Sequence, residues 1–137
     1  MSTVRYANGS AARKEFSRFL KSAFVGQVVT VESAGHTLAL IDAKVFRNHL
    51  ERAAPARAKV SEAEGAIAIV IPGWPFAVET GSLDESLEEM IDVLREYASD
   101  WQARLHTTQN HSDNWALVQL VELSSDEELT AWLTGSS

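Results

Sequence analysis

Cationic side chains are concentrated near the start of the chain, where they are numerous and close enough in sequence to bind phosphate together. Although the formal net charge of the protein is −7, residues 10–21 carry four of them: Arg13, Lys14, Arg18 and Lys21. Lysine and arginine neutralise the phosphates of nucleic acids, so the cluster predicts contact with a polyanion. The alternative is that these side chains only solvate the polar side of a helix.

Carboxylates dominate the rest of the chain. Residues 1–60 hold ten Lys and Arg against four Asp and Glu, a net charge of +6. Residues 61–137 hold two Lys and Arg against fifteen Asp and Glu, a net charge of −13. This segregation predicts one part that binds a polyanion and another that binds a cationic partner. Simple solvation of each half by its own charges is the alternative.

Composition limits where the protein works. The chain of 137 residues contains no cysteine, which excludes disulfides and thiolate metal ligands. Its longest apolar run, residues 66–71, is far shorter than the ~20 residues of a membrane span. The first residues also lack the apolar core of a signal peptide. We therefore expect a cytoplasmic protein.

The cations of the first half require a helix to position them. Apolar residues recur at helical spacing: Phe16, Phe19, Leu20, Ala23 and Phe24. They predict one amphipathic helix whose N-cap is Ser10 and whose opposite side is basic. Strands at 27–32 and 37–41 follow, and then a helix capped by Asp42. Residues 55–60, with Pro55 and no apolar periodicity, predict a linker.

The order of these features resembles the N-terminal module of the Phd/YefM (prevent-host-death) antitoxins. The resemblance rests on "TVRYANGSAARKEFSRFL" and "VGQVVTVESAGHTLALIDAKVFRNHLERA", about residues 3–53. It implies a β-α-β-β-α module that forms a homodimer and binds operator DNA, with Arg13 directed at the DNA. The DNA-binding residues expected on this basis are Arg5, Arg13, Lys14, Arg18 and Lys21.

The second half has its own apolar core. Residues 65–72 and 74–80 predict strands, and Ser82 with Glu85 three residues later predicts the capping box of a long helix. An apolar stripe follows from Leu83 to Leu105, and acidic residues cover the other side of the helix. The alternating run 115–123 predicts a strand, and Ser124 or Ser125 caps a last helix.

The segment "IPGWPFAVETGSLDESLEEMIDVLREYASDW" resembles the HicB antitoxins, a likeness carried by Gly81, Ser82, Glu85, Ser86 and Leu87. It implies a partial ribonuclease-H-like fold that binds a toxin. The predicted α+β fold is thus a dimerisation and DNA-binding module (1–54), a linker (55–60) and an acidic β-β-α-β-α toxin-binding domain (61–137). The expected toxin-binding residues are Glu85, Glu88, Glu89, Asp92, Glu96, Trp101 and Trp132. Packing in the core is the alternative for the tryptophans.

Catalytic interpretations find little support. The strand segments 66–71 and 115–121 carry no carboxylates, which a metal nuclease needs there. His106 and His111, together with Asp113, are a candidate zinc site but lack a further ligand, and no Ser-His-Asp arrangement is evident. We expect no enzyme activity, no metal and no cofactor.

Together these features predict a type II antitoxin that neutralises a basic, mRNA-cleaving toxin and represses its own operon. The alternative is a stand-alone dimeric transcriptional regulator whose second domain senses a ligand or only dimerises. A hydrolase is a more distant possibility.

Overall fold

The computed structural model describes residues 4–136 and confirms the α+β class. The chain divides into two compact units, each of which makes most of its residue contacts internally: a first unit (Met1–Phe46) and a second unit (Arg47–Ser137). Within the described residues, no helix is long and apolar enough to span a membrane.

The first unit is a three-stranded sheet with two short helices. Its elements are β1 (Val4–Tyr6), α1 (Gly9–Lys14), α2 (Phe16–Phe24), β2 (Val29–Ser33), β3 (His36–Leu40) and the start of α3 (Ala43–Ala53). The central strand β2 pairs parallel with β1 and antiparallel with β3. The three strands and α3 follow the predicted order, but two helices lie between β1 and β2 where one was predicted.

The single helix predicted from Ser10 is wrong in two respects. The N-cap is Asn8, whose Oδ1 accepts a hydrogen bond from the Ala11 amide at 2.8 Å. The helix is also interrupted at Glu15, whose backbone (φ −116°, ψ 33°) leaves the helical region, so two helices form. An asparagine in extended conformation satisfies the free amides of a first helical turn as well as a serine does.

The second unit places helices on one side of a second sheet. Its elements, after the remainder of α3, are β4 (Lys59–Ala63), β5 (Ala66–Ile71), β6 (Phe76–Thr80), α4 (Leu83–Ala103), α5 (Trp115–Glu122) and α6 (Asp126–Thr134). Two short 3-10 turns lie between α4 and α5. The antiparallel sheet has the order β4-β5-β6. Helix α4 packs on β5 and β6, where Ile69, Ile71 and Val78 are buried.

Two predicted features of the second half are corrected: the strand at 115–123, and the number of strands before α4, which is three because β4 precedes β5 and β6. The run 115–123, predicted as a strand, forms helix α5 and the residue after it. Its buried residues Leu117, Val118, Leu120 and Val121 are spaced so that one side of a helix carries them all, and α5 contacts α4. The order is therefore β-β-β-α-α-α instead of β-β-α-β-α.

The boundary between the units also differs from the predicted one. It falls inside α3, between Phe46 and Arg47, and not after residue 54. The predicted linker is not a free segment, because Ala56 is buried and residues 59 and 60 belong to β4. The functions predicted for the two parts remain predictions.

The serine-rich start of α4 is confirmed as an N-terminus. The Ser82 hydroxyl accepts a hydrogen bond from the Glu85 amide at 3.2 Å. Ser86, which is fully buried, donates to the Ile67 carbonyl at 2.7 Å and contacts the Thr80 hydroxyl at 2.6 Å. The short motif therefore joins α4 to both β5 and β6.

Candidate functional site

The basic side chains of the first unit lie on two helices. Arg13 and Lys14 occupy the last turn of α1 and are exposed, a position where cations also stabilise the helix dipole. Arg13, Lys14 and Arg18 line the same shallow cavity on the surface. Lys21 and Arg5 are exposed but do not line it. The structure thus brings three of the five predicted DNA-binding residues together.

An acidic residue lies inside this basic surface. Glu15, at the break between α1 and α2, forms an ion pair with Arg18 at 3.3 Å. Both side chains reach solvent, so the pair contributes little to stability. The pair has a larger effect on the binding of an anionic ligand than on stability, because Glu15 offsets the positive charge that Arg18 would offer to a phosphate. Among the described residues, no ion pair involves Arg13 or Lys14.

The first unit encloses very little of its own apolar surface. Tyr6, Ala23 and Val29 form its buried core, with partly buried residues around them. Large apolar side chains remain exposed, and we refer to them together as the apolar surface of this unit: Phe16, Phe24, Val25, Val28, Leu38, Ile41 and Val45. Phe24 and Val25 are about three-quarters exposed, at 73% and 76%. Exposed apolar groups in this number are typical of a surface that another chain covers.

The predicted acidic residues of α4 separate into two groups. Glu88 and Asp92 line a groove with Asp126, Glu127 and Thr130 of α6, and Ile91 contributes an apolar wall. We call this the acidic groove. Glu85, Glu89 and Glu96 are exposed on α4 but do not line it. Sequence reasoning missed the contribution of Asp126 and Glu127, although their place in the first turn of a capped helix was visible.

Arg95 holds the two sides of the acidic groove together. Its guanidinium donates to the carbonyls of Val121 and Ser124, at 2.7 and 2.8 Å, and to Asp126 Oδ1 at 2.7 Å. Val121 lies in the last turn of α5, Ser124 lies in the connection between α5 and α6, and Asp126 is the first residue of α6. One charge of the groove is therefore already neutralised. Glu88, Asp92 and Glu127 remain to meet a cationic partner.

Both tryptophans predicted to bind a toxin are core residues, which corrects that prediction. Trp101 is 6% exposed and donates to the His111 carbonyl at 2.7 Å. Trp132 is 3% exposed and donates to the Ala54 carbonyl at 2.9 Å. Trp115, at the start of α5, is the large exposed aromatic residue of the second unit, at 48%.

The two histidines considered for zinc contact separate partners. His111 Nδ1 lies 2.8 Å from the Tyr97 hydroxyl, and His106 Nδ1 lies 3.1 Å from the Trp101 carbonyl. Across residues 4–136, no group of three or more His, Asp or Glu side chains is arranged to hold a metal ion.

Comparison with known proteins identifies a shared fold. The chain is similar to the crystal structure of the antitoxin part of a proposed toxin/antitoxin system from Syntrophomonas wolfei subsp. wolfei, with a TM-score of 0.78. The alignment covers 96% of each chain at 20% sequence identity. No protein-family model and no curated protein sequence matches the chain. The resemblances to the Phd/YefM and HicB families therefore remain predictions.

Proposed function

We propose that the protein is an antitoxin of a type II toxin–antitoxin system. The observation that carries the proposal is the division of charge between two compact units, the first with exposed cations and the second with the acidic groove. The similar structure from Syntrophomonas wolfei, described as an antitoxin, supports the same role. The second unit binds the toxin, and the first unit binds operator DNA and represses the operon.

DNA binding rests on the cations of α1 and α2. Arg13 and Lys14 are exposed and adjacent, so they can contact neighbouring phosphates of one DNA strand. Lys21 extends the basic surface along α2. Phosphate contacts of this kind supply affinity that depends steeply on salt.

The first unit works as a homodimer. A unit of this size buries too small a core to be stable alone, and its apolar surface offers the missing contacts to a second copy. A two-fold dimer also doubles the basic surface and matches the symmetry of a palindromic operator. Dimerisation and DNA binding therefore support each other.

Toxin binding rests on the acidic groove. A toxin that cleaves RNA holds a polyanion, so its active surface is basic and complements Glu88, Asp92 and Glu127. Coverage of that surface by carboxylates excludes the RNA. Trp115 offers an exposed aromatic side chain of the type that dominates binding energy at interfaces.

Co-expression tests the proposal. The wild-type chain should rescue the growth of cells that express the basic protein encoded beside it, and the two proteins should co-purify. A charge-reversed variant with Glu88→Lys, Glu89→Lys and Asp92→Lys should rescue poorly while it still binds operator DNA. Full rescue by this variant would place the toxin-binding surface elsewhere. A neighbouring protein that is harmless and does not bind would favour the stand-alone regulator.

A further inference from the structure

The sheet of the second unit has one side that no described element of that unit covers. Residues alternate between the two sides of a strand. Ile69, Ile71 and Val78 point toward α4 and are buried, whereas the residues between them point the other way. We call this second side the outer sheet face; it consists of Lys59, Ser61, Ala63, Ala66, Ala68, Val70, Ala77 and Glu79. Most of these residues are exposed, and Ala66 and Ala68 are half-buried.

The composition of the outer sheet face is unusual for a surface in water. Four of its eight residues are alanine, a residue type that is depleted in strands. Val70 adds an apolar side chain that is 41% exposed. Alanine side chains leave the backbone close to the surface and lose no rotamer freedom when they are covered. The centre of the face is therefore flat and apolar and suits close packing against a second sheet.

The two charged residues of the face complement each other across a two-fold axis. Lys59 lies on one edge strand, in the row Lys59, Val70, Ala77, and Glu79 lies on the other, in the row Ser61, Ala68, Glu79. Consider two copies whose outer sheet faces meet across a two-fold axis that runs parallel to the strands. This arrangement places β4 of one copy opposite β6 of the other. Lys59 then lies one row, about 7 Å along the strand, from the partner's Glu79. A lysine side chain spans that distance, and the contact forms twice.

We infer that the outer sheet face binds the same face of a second copy of this chain. The face is neutral, with one cation and one anion, so it does not attract the basic toxin to which the acidic groove is complementary. It covers roughly 240 Å² as three strands of five residues. Stable interfaces bury about 800 Å² from each partner. The contact therefore rests on the proposed homodimer, whose first units bring two faces to a high effective concentration.

Disulfide cross-linking of the full chain tests this inference, because the natural sequence has no cysteine. Ala68 is central in the outer sheet face, so Ala68→Cys places two thiols close to the two-fold axis. The matched control is Glu62→Cys, on the same sheet but on the opposite side, where Glu62 pairs with Ile67. We expect Ala68→Cys to form disulfide-linked dimers at least about tenfold faster under mild oxidation. Equal rates would overturn the inference.

Charge exchange provides a second measurement that requires no cysteine. Lys59→Glu and Glu79→Lys each place like charges across the axis, so each should raise the dissociation constant of the dimer several-fold in sedimentation velocity. The double variant restores opposite charges and should return to the wild-type value. Additive losses in the double variant would contradict the pairing. If the toxin protects the introduced thiol of Ala68→Cys from alkylation, and a second copy does not, the inference is also overturned.

A third variant separates this inference from the proposed function. Phe24→Glu introduces charge into the apolar surface of the first unit and should dissociate the dimer and slow the cross-link of the Ala68→Cys chain. If Phe24→Glu leaves sedimentation unchanged, the proposed dimer through the first unit is wrong. The comparison of Ala68→Cys with Glu62→Cys still decides whether the outer sheet face binds its copy.

Discussion

The guanidinium of Arg47 donates a hydrogen bond to the Ser124 hydroxyl over 2.8 Å, although the two residues are 77 positions apart. Arg47 is 4% exposed and also forms ion pairs with Glu51 and Glu128. The carbonyl of the same serine accepts from Arg95. Two arginines therefore converge on the junction of α5 and α6, and the later part of α3 belongs to the second unit.

Removal of the Arg47 charge should destabilise the second unit. Arg47→Met keeps much of the apolar stem but leaves Glu51 and Glu128 without their cation, in a partly buried site. We expect a loss of about 2 kcal/mol in the free energy of unfolding, measured with urea. The control Arg104→Met breaks an exposed ion pair with Asp100 and should cost less than about 0.5 kcal/mol. Equal losses of unfolding free energy in the two variants would show that the buried Arg47 network stabilises the protein no more than an exposed ion pair does.

Loss of two cations in the first unit should weaken DNA binding in a salt-dependent way. The double variant Arg13→Ala, Lys14→Ala should bind its own promoter less tightly and reduce the slope of log affinity against log salt by about two, one for each phosphate contact. Electrophoretic mobility shifts at several salt concentrations measure this slope. An unchanged slope would remove these residues from the interface. Arg57→Ala and Arg104→Ala, both in the second unit, serve as the matched control.

Removal of Glu15 should have the opposite effect on DNA binding. Glu15→Gln releases Arg18 from its ion pair and deletes a negative charge from the basic surface. We expect a rise in DNA affinity of about two- to fivefold at low salt. Glu62→Gln makes the same chemical change in the second unit and should have no effect. If Glu15→Gln leaves the affinity unchanged, the Glu15–Arg18 pair lies away from the DNA.

The buried and exposed tryptophans should respond differently to the same substitution. Trp132→Phe removes the hydrogen bond to the Ala54 carbonyl and should cost about 1–2 kcal/mol in thermal or urea unfolding. Trp115→Phe should cost less stability than Trp132→Phe, because the Trp115 side chain is half exposed. Trp115→Ala should instead raise the dissociation rate of the toxin. Strong destabilisation by Trp115→Phe would contradict its assignment as a surface residue.

Charge reversal inside the acidic groove should slow toxin association more than reversal outside it. The groove variant combines Glu88→Lys, Asp92→Lys and Glu127→Lys; the control combines Glu85→Lys, Glu89→Lys and Glu96→Lys on α4 alone. Both change the net charge equally, so long-range steering changes similarly in both. We expect an on-rate about tenfold lower for the groove variant at low salt, measured by stopped flow or surface binding. Equal on-rates would indicate that the carboxylates act only through the overall field.

Features that depend on neighbouring residues could be predicted from the sequence. The start of α4 is one, because the Ser82 hydroxyl and the Glu85 amide are three residues apart and cap the helix without help from the rest of the chain. Strands β2, β3, β5 and β6 are others, since each is a short β-branched or apolar segment bounded by a turn. The division of charge between the halves is a property of composition alone.

Features that depend on contacts between distant residues were decided by the tertiary structure. The run 115–123 fits a strand or a helix by its pattern, and packing of Leu117 and Val118 beside α4 selects the helix. The acidic groove exists because Arg95 attaches the start of α6 to α4, across 31 positions. The exposure of each tryptophan is decided in the same way. Burial depends on which residues each side chain contacts after the chain has folded, and the spacing of residues along the sequence does not determine those contacts.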